Sequence, residues 1–523
     1  MGDIGGGDGS LLITDVTICF SSPSTREQEL LQCSLGSPNW QRLDKDLYLH
    51  GGRQLAFIHA ETKDEQELKA DDLVVREVRV GKEPPARDGR ESRWEQRPGG
   101  IWLLRSEFGG DTSTALKGLD VLFGTDAVDP RPLWHLMDAP LELDASPQTP
   151  VARLTFRHQR LNSGPNLPEL PLRANADGKF KVVQVSDTHM VTGVGVCKDA
   201  IDADGQPLPA GEADPRTVQF LEAILETEKP DLVILTGDQL HHDHLDTQSA
   251  LFKVVAPLIE RKIPYAAVFG NHDDEGTWAM SRAAQMSILQ DLPYSLCEPG
   301  PTHVDGVGNY HLQIVGPGPS QQPSLTFYLL DSHGEAANPA TNPDYEPIKQ
   351  SQIDWFRDTS KALQKERKKS GTDEPHLSLA FMHIPIPEYT NSDLAIAGGQ
   401  RREPTEGSSV NTHLYDAMVR EGVVAVGNGH DHVNDFCGLL PRSHEDLRDS
   451  EKHVYGPWLC YNGGSGFGGY MSYGKNRYHR RLRVWGFDTT RANIRTWKRL
   501  EYHSERVDEM MLVEDGAVVP SQM

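Results

Sequence analysis

The sequence predicts an α/β domain with mixed sheets, preceded by a smaller β-rich domain. Its 523 residues exceed the roughly 250–300 residues at which one hydrophobic core stops growing, so we expect two domains. Short β-like runs separated by polar, glycine-rich and proline-rich segments occupy residues 10–150, the predicted N-terminal domain. Apolar strands alternate with helical patterns from Phe180 onward, which is typical of an α/β sheet, and we place this second domain at residues 175–503.

Four runs in the N-terminal domain favour strands, at residues 11–20, 46–50, 54–59 and 100–104. The histidines and cysteines of this domain show no metal-binding or catalytic spacing. The sequence therefore leaves the purpose of the domain open.

Five apolar strands organise the second domain, and each ends abruptly in polar residues: KVVQVSDTH, DLVILTGD, PYAAVFGNHDDE, SLAFMHIP and VVAVGNGHDH. Apolar residues at helical spacing predict helices that begin at Asp214, cover 251–259 and cover 347–369. Pro257 lies within the second helix and is expected to kink or loosen it. The later runs RLRVWGFD and NIRTWKRL are too closely spaced for helical crossovers, which predicts antiparallel strands in a second, mixed sheet. The tail after Ser504 is expected to be frayed.

Composition limits the classes of partner. Acidic residues outnumber basic ones by 76 to 52, and the formal net charge of −24 disfavours binding to nucleic acids and to anionic membranes. No apolar run approaches the ~20 residues of a membrane span, and the N-terminus lacks the features of a signal peptide, so we expect a cytoplasmic protein. The six cysteines form no C-x-x-C pair, and reduced thiols are predicted. The oligomeric state stays open.

Metal-binding residue types gather where the strands of the second domain end, which is the edge at which open α/β sheets bind ligands. Two of these residues follow the first strand and two follow the fifth, each pair two positions apart and so predicted to share a strand face. The full set is Asp187, His189, Asp238, Asn271, His383, His430 and His432. Two carboxylates, an amide oxygen and four imidazoles suit two borderline divalent metals. Because metals ~3.5–4 Å apart need a shared ligand, Asp238 is the predicted bridge.

The order D-x-H, G-D, G-N-H-D, a lone His and G-H-x-H, within residues 180–490, resembles the signature of the calcineurin-like metallophosphoesterases. This resemblance implies a four-layer αββα sandwich around a dinuclear metal centre. For the first metal it implies the ligands Asp187, His189, Asp238 and His432. For the second metal it implies Asp238, Asn271, His383 and His430. His272 matches the catalytic histidine of the family, which faces the phosphate without binding a metal.

The resemblance implies hydrolysis of a phosphate ester by in-line attack of a metal-bound hydroxide, with His272 protonating the leaving oxygen or stabilising the transition state. Position 241 is His where the purple acid phosphatases carry the tyrosine that binds ferric iron. We therefore favour manganese, with Fe(II) or Zn(II) as the alternatives. The segment GDQLHHD also lacks the Asp-Arg clamp of the phosphoprotein phosphatases related to calcineurin.

Longer segments resemble the dosage-dependent cell-cycle regulator phosphatases of fungi, among them ADPRTVQFLEAILETEKPDLVILTGDQL, FGNHDDEG, GHDHVNDFC and YNGGSGFGGY. This likeness implies a phosphomonoesterase whose substrate is a phosphoprotein or a small phosphate ester. Two alternatives stay open. One is a phosphodiesterase that acts on a cyclic nucleotide or another small diester, and the other is an inactive scaffold or binding protein that retains the site.

Substrate selection is predicted to lie in the loops that follow the strands. The acidic insertion from Gly193 to Ala213 is a candidate lid. Arg401 and Arg402 could clamp a second anionic group, with a solvated loop as the alternative, and His241 is a candidate substrate contact. The segment GGSGFGG is predicted to pack its backbone closely near the metals.

Overall fold

The computed structural model describes residues 11–21, 35–51, 54–86, 93–159, 171–319, 321–336, 344–371, 374–441 and 455–520. These residues fall into two compact units. The first unit comprises Met1–Pro165, Thr192–Val194 and Gln248–Ala256, and the second comprises Asn166–Val191, Gly195–Thr247 and Pro257–Met523. The domain limits 10–150 and 175–503 stay predictions.

The strands of the first unit form three small antiparallel sheets, with the orders β1-β3-β2, β4-β6-β5 and β7-β9-β8. Their bounds are β1 Leu11–Ser21, β2 Trp40–Arg42, β3 Leu55–Asp64, β4 Leu73–Val80, β5 Trp94–Arg97, β6 Ile101–Glu107, β7 Gly118–Phe123, β8 His135–Leu136 and β9 Ala152–Arg157. The strands predicted at 11–20, 54–59 and 100–104 are confirmed. The strand predicted at 46–50 is wrong, because Leu49 and His50 turn the chain with φ angles of 43° and 66°.

Two large sheets and a short hairpin, β21-β22, form the framework of the second unit. The eight-stranded sheet has the order β10-β14-β15-β16-β18-β20-β19-β17, and the seven-stranded sheet has the order β13-β12-β11-β23-β24-β25-β26. The bounds are β10 Leu172–Arg173, β11 Lys179–Val185, β12 Leu232–Thr236, β13 Tyr265–Val268, β14 Tyr310–Val315, β15 Pro323–Leu329, β16 Leu377–Phe381, β17 Ala395–Ala397, β18 Val423–Asn428, β19 Cys437–Leu439, β20 Trp458–Tyr461, β21 Ser472–Tyr473, β22 Asn476–Arg477, β23 Arg481–Asp488, β24 Asn493–Leu500, β25 Val507–Glu514 and β26 Ala517–Val518.

The helices are α1 Ala213–Glu228, α2 Thr247–Glu260, α3 Arg282–Gln290, α4 Gln350–Ser370 and α5 Leu414–Glu421. The sequence of α1 explains where this helix begins, which face it buries and where it ends. Asp214 places a carboxylate in its first turn, and Phe220, Leu221 and Ile224 form part of its buried face. The helix ends where Lys229 takes a left-handed conformation and donates its N–H to the carbonyl of Leu225.

Alternating side chains of the eight-stranded sheet face two apolar cores. Phe381 packs edge to face on Trp485 of the seven-stranded sheet, with ring centroids 5.8 Å apart, so one core lies between the sheets. Tyr328 packs edge to face on Phe356 of α4 at 4.8 Å, so the second core lies between the sheet and the helices α4 and α5. Helix α1 lies on the far side of the seven-stranded sheet, where Glu228 accepts a hydrogen bond from Trp497 Nε1. The αββα layering is thereby confirmed.

Parallel strands bring the candidate ligands to one place in the fold. Strands β11, β12 and β13 run parallel in one sheet, and β15, β16, β18 and β20 run parallel in the other. Their carboxyl ends therefore lie at one edge of each sheet, and the loops that leave this edge carry the predicted metal ligands. The five strands predicted from the apolar runs are confirmed.

Several details differ from the sequence prediction. Helix α2 continues through Pro257 to Glu260, and the helices α3 and α5 were not predicted. The prediction that the tail after Ser504 is frayed is wrong, because β25 pairs with β24 and buries Leu512 and Val513. The prediction of reduced thiols is wrong for Cys437 and Cys460, which form a disulfide between β19 and β20.

Disulfides are rare in reducing compartments, so this disulfide does not support the predicted cytoplasmic location. Within the described part of the chain, no helix is both long and apolar enough to cross a membrane.

Candidate metal centre

Four of the predicted ligands lie just past the end of a strand on a left-handed backbone. The φ angles are 58° at Asp187, 48° at His189, 49° at Asp238 and 78° at His430. Residues other than glycine adopt this conformation at a cost of about 1–3 kcal/mol, and such costs concentrate at functional sites. The prediction that the residues of each pair share one face of a strand is therefore wrong. These residues lie in the loops that follow the strands, and the loop backbone sets the direction of their side chains.

The first group of donors is buried and compact. Ligand atoms of Asp187, His189, Asp238 and His432 all lie within 4.8 Å of one another. His189 Nε2 is 3.1 Å from His432 Nε2 and 3.7 Å from Asp238 Oδ2. His432 Nε2 is 3.4 Å from Asp187 Oδ1. Two imidazoles and two carboxylates thus converge on one small volume.

A second group shares Asp238 with the first and adds His383 and His430. His383 Nε2 lies 3.2 Å from Asp238 Oδ2, and His430 Nδ1 lies 3.3 Å from His383 Nε2. Asn271 follows β13 and is 5% exposed, and no described residue makes a hydrogen bond to its side-chain oxygen. Only Asp238 belongs to both of these donor groups, as expected for a bridging carboxylate.

The ring orientations fit a bound cation. His383 Nδ1 lies 2.8 Å from the carbonyl oxygen of Thr236, and His432 Nδ1 lies 2.7 Å from that of Tyr470. A carbonyl oxygen only accepts, so each Nδ1 carries the proton and a neutral ring offers its Nε2 lone pair to the cluster. In His383 that lone pair faces a carboxylate oxygen at 3.2 Å, an arrangement that requires a proton or a metal ion between the two atoms. The donor set and its orientation therefore fit divalent metals.

The titration behaviour reflects the same crowding. Burial alone would raise the pKa of Asp238, but the neighbouring His383, His272 and His189 hold it well below its usual value. Burial lowers the pKa of His383, yet Asp238 and Asp187 outweigh burial and raise it to about 9. Burial and the repulsion of His432 hold the pKa of His189 well below its usual range. The shifts of Asp238 and His383 show carboxylates that favour positive charge nearby, and the shift of His189 shows that burial and the crowded imidazoles disfavour a further proton.

The predicted catalytic residue, His272, lies beside the first donor group with its ring 5.3 Å from that of His189. Its Nδ1 pairs with the carboxylate of Glu275. Burial lowers the pKa of His272, but Asp238 and Glu275 raise it to about 9. Asp273, the next residue along the chain, accepts hydrogen bonds from the backbone N–H groups of Asp238, Leu240 and Gly270 and therefore caps the loop.

The glycine-rich segment packs against the metal ligands as predicted. A Cβ atom added at Gly469 would lie 2.5 Å from His432 Cε1, and one at Gly468 would lie 2.4 Å from the carbonyl oxygen of His189. At Gly466 the added atom would meet the Thr188 carbonyl at 2.0 Å. These glycines let the backbone support the loops that carry His189 and His432.

The three predicted substrate contacts have different surroundings. Arg401 donates to the carbonyl of Tyr389, and Arg402 pairs with Asp435 at 2.6 Å. Neither arginine joins the donor cluster, and these bonds favour a role in holding their loop. His241 is 7% exposed, and its ring lies 5.4 Å from His189. Burial and the nearby Lys198 lower the pKa of His241 to about 4.

Sequence reasoning missed three residues beside the cluster. Glu275 pairs with His272, Tyr470 stacks on the His432 ring at 4.0 Å, and Lys198 Nζ lies 2.6 Å from His241 Nε2. The spacing of three residues between His272 and Glu275 is a signal that could have been used. Lys198 and Tyr470 come from distant segments, and no local pattern in the sequence marks them.

Comparisons with known proteins agree with this geometry. A model of the calcineurin-like phosphoesterase family matches residues 180–434. The chain is 35% identical over 420 residues to Phosphatase DCR2 of Saccharomyces cerevisiae, covering 77% of this chain and 67% of the relative. It is 34% identical over 369 residues to Probable inactive purple acid phosphatase 29 of Arabidopsis thaliana, covering 66% of this chain and 89% of the relative.

Among solved structures, a dimetal phosphatase from Danio rerio aligns with 64% of this chain and 99% of its own, at 14% identity and a TM-score of 0.39. That likeness is too distant to carry an argument. The family match and the extent of the two curated relatives are sufficient, and the chain belongs to the calcineurin-like phosphoesterase family.

Proposed function

We propose that the protein is a phosphatase that hydrolyses phosphomonoesters at a centre of two divalent metal ions. The observation that carries this proposal is the pair of donor groups that share Asp238, with His272 beside them. Family membership supports hydrolysis of phosphoric esters, and similarity to a protein named as a phosphatase favours the monoester. The substrate is a phosphoprotein or a small phosphate ester.

One metal would be held by Asp187, His189, Asp238 and His432, and the other by Asp238, Asn271, His383 and His430. When bound, such ions supply Lewis acidity to the phosphoryl oxygens and activate a water molecule. His241 stands at the position of the tyrosine that binds ferric iron in the purple acid phosphatases, which disfavours ferric iron and leaves Mn²⁺, Fe²⁺ or Zn²⁺. Of these three ions we favour manganese.

His272 would donate a proton to the leaving oxygen of the ester. Its Nδ1 pairs with Glu275, which leaves Nε2 to carry the transferable proton. A raised pKa of about 9 keeps the ring protonated at neutral pH, as a general acid requires. Glu275 orients the ring and stabilises its charged form.

Retention of the donor set argues against an inactive scaffold, even though three similar proteins of Arabidopsis thaliana carry the word inactive in their names. Every predicted ligand position holds a residue able to bind metal, and its carboxylates and imidazoles converge. A site that has lost its activity is expected to show at least one replaced or displaced ligand.

The test compares p-nitrophenyl phosphate with bis-p-nitrophenyl phosphate, using protein stripped by a chelator and protein reloaded with Mn²⁺. Turnover that depends on Mn²⁺ and favours the monoester is expected. A preference for the diester would replace the proposal with a phosphodiesterase. Absence of turnover with Mn²⁺, Fe²⁺ and Zn²⁺ would leave the scaffold as the better account.

A further inference from the structure

We propose that Lys198 binds a second anionic group of the substrate, beside the phosphate that is hydrolysed. This inference rests on the proposed function and narrows it to phosphomonoesters that carry another carboxylate or phosphate. The residue belongs to the insertion after the first ligand pair, and its side chain is exposed. Its ammonium group nevertheless occupies a defined place next to the candidate metal centre.

The backbone of Lys198 is fixed on both sides. Its N–H donates to the carbonyl of Phe467 at 2.9 Å, and its own carbonyl accepts a hydrogen bond from the guanidinium of Arg480. Arg480 is fully buried and also donates to the carbonyls of Gly466 and Gly469. The same glycine-rich segment packs against His189 and His432, so one support positions both the lysine and the metal ligands.

The residues that follow hold the insertion in place. Asp199 accepts hydrogen bonds from Met471 N at 3.1 Å and from Ser472 Oγ at 2.8 Å. Ala200 and Ile201 are only 3% and 5% exposed. This part of the insertion, predicted as a candidate lid, is packed within the second unit. A packed segment presents its lysine at a lower entropic cost than a mobile loop would.

The imidazole ring of His241 lies between the ammonium group of Lys198 and the candidate metal centre. Lys198 Nζ is 2.6 Å from His241 Nε2, and Asp243 Oδ1 lies 2.7 Å from Nδ1 on the other side of that ring. The His241 ring is 5.4 Å from the His189 ring, and it stacks almost parallel to His272 at 6.1 Å. A substrate whose phosphate reaches the metal ligands would therefore pass close to this lysine.

Charge explains what such a lysine would select. The chain carries a net charge of −24, which repels anionic substrates at long range. Within the residues that the structure covers, Lys198 forms no ion pair with a carboxylate, and its contact is an imidazole nitrogen. Its positive charge is therefore available to a carboxylate or phosphate of the substrate, and an uncharged substituent would gain nothing from it.

The experiment measures binding of 3-phosphoglycerate and glycerol 3-phosphate by titration calorimetry, with every protein loaded with Mn²⁺ and carrying His272→Ala to slow hydrolysis of the two esters. These two monoesters differ in a carboxylate that replaces an uncharged CH₂OH group. The protein that is wild type at position 198 is expected to bind 3-phosphoglycerate about tenfold more tightly, the effect of one charge-assisted hydrogen bond at a partly exposed site. Lys198→Met is expected to lose this preference, and Lys198→Arg to keep most of it.

Lys475→Met is the matched control, because it removes an exposed lysine from the hairpin β21-β22 and changes the net charge equally. It should keep the wild-type preference. A protein that is wild type at position 198 and shows no preference, or a Lys198→Met variant that retains it, would overturn the inference. Turnover of p-nitrophenyl phosphate is measured in parallel with His272 intact, so loss of the proposed activity with an intact binding preference would contradict the proposed function alone.

Discussion

Two buried clusters of charge in the second unit differ in how they are balanced. The first, which we call the Asp435 cluster, joins Asp435 to Arg402, Arg481 and Lys498, with distances of 2.6 Å to Arg402 and 2.9 Å to Lys498. The second is the candidate metal centre, where carboxylates and imidazole lone pairs face one another at 3.1–3.7 Å. Arginine and lysine side chains pair with the carboxylate of the first cluster, whereas no described arginine or lysine pairs with the carboxylates of the second.

The difference separates a structural site from one that binds a ligand. Burial alone would raise the pKa of Asp435, but Arg481, Lys498 and Arg402 hold it well below its usual value. In the metal centre, by contrast, the side chains that pair with the buried carboxylates Asp187 and Asp238 among the described residues are all imidazoles. Asn271 Oδ1 is also buried there and has no hydrogen-bond partner among the described residues. A buried charge needs a partner, and here an external cation would provide it.

The largest effect is expected from Asp238→Asn. The substitution removes the carboxylate shared by both donor groups, so turnover should fall by more than the ~100-fold typical of altering a residue that only supports a ligand. Bound metal should be lost in parallel. Wild-type turnover by Asp238→Asn would contradict the claim that this carboxylate is needed to bind the metals.

Asp435→Asn should lower the stability of the fold, whereas Asp238→Asn lowers metal binding and turnover. The substitution of Asp435 leaves the buried Arg481 and Lys498 and the partly buried Arg402 without their shared anion, which is expected to cost about 3–5 kcal/mol of unfolding free energy with or without metal. Urea denaturation measures this loss. Asp488→Asn is the control, since it removes the partly exposed pair with Lys179 and weakens local hydrogen bonds from Thr490 and Arg491, and it should cost less than Asp435→Asn.

The contribution of Asp435 also predicts a dependence on pH. Its pKa is lower in the folded than in the unfolded protein, so its stabilisation is complete above the unfolded pKa of about 3.9 and is lost as the pH falls through the folded value. The difference in stability between wild type and Asp435→Asn should therefore be constant near neutral pH and shrink in strong acid. A stability difference that grows on acidification would show that the negative charge of Asp435 is not what stabilises the cluster.

His272→Ala should lower turnover of p-nitrophenyl phosphate by about 10²–10⁴-fold while bound metal is retained.

The pKa of His272 is raised to about 9, so the proton donor is present below that pH and is lost above it. Glu275→Gln removes one of the two anions that raise this pKa and should move the alkaline limb of the pH–rate profile to lower pH. An unchanged limb would mean that Glu275 does not act on His272.

The smallest of these effects is expected from Gly469→Ala, which pushes a methyl group against His432. Displacing a residue that supports a ligand typically costs about 10–100-fold in metal affinity, and competition with a chelator of known affinity measures it. Gly211→Ala is the control, because its added Cβ would meet no atom closer than 3.7 Å. Equal metal affinities in the two variants would remove the role given to the glycine-rich segment.

The parts that were predictable from the sequence are those that depend on local pattern. The apolar runs located β11, β12, β13, β16 and β18, and the polar residues after them included the ligands of both donor groups. The local backbone was not predictable, because packing of the surrounding loops imposes the left-handed conformation of Asp187 and His189. The short helix α5 was missed because its eight residues offer too few turns for periodicity to be recognised.

Contacts between distant segments account for the remaining differences. The Asp435 cluster combines charges from four separate positions along the chain, and no spacing rule connects them. Arg402 was for that reason considered as a substrate contact, although the structure pairs it with Asp435. Lys198 and His241 are 43 residues apart, and only the folded chain brings them together.

The most direct test of the central claim is the metal content of the purified protein, measured together with its turnover. After chelator treatment and reloading with Mn²⁺, the wild-type chain should hold two ions, and turnover of p-nitrophenyl phosphate should return in proportion to them. Asp238→Asn should hold fewer ions and remain inactive. Full turnover by metal-free protein, or no metal bound at saturating Mn²⁺, would contradict the account.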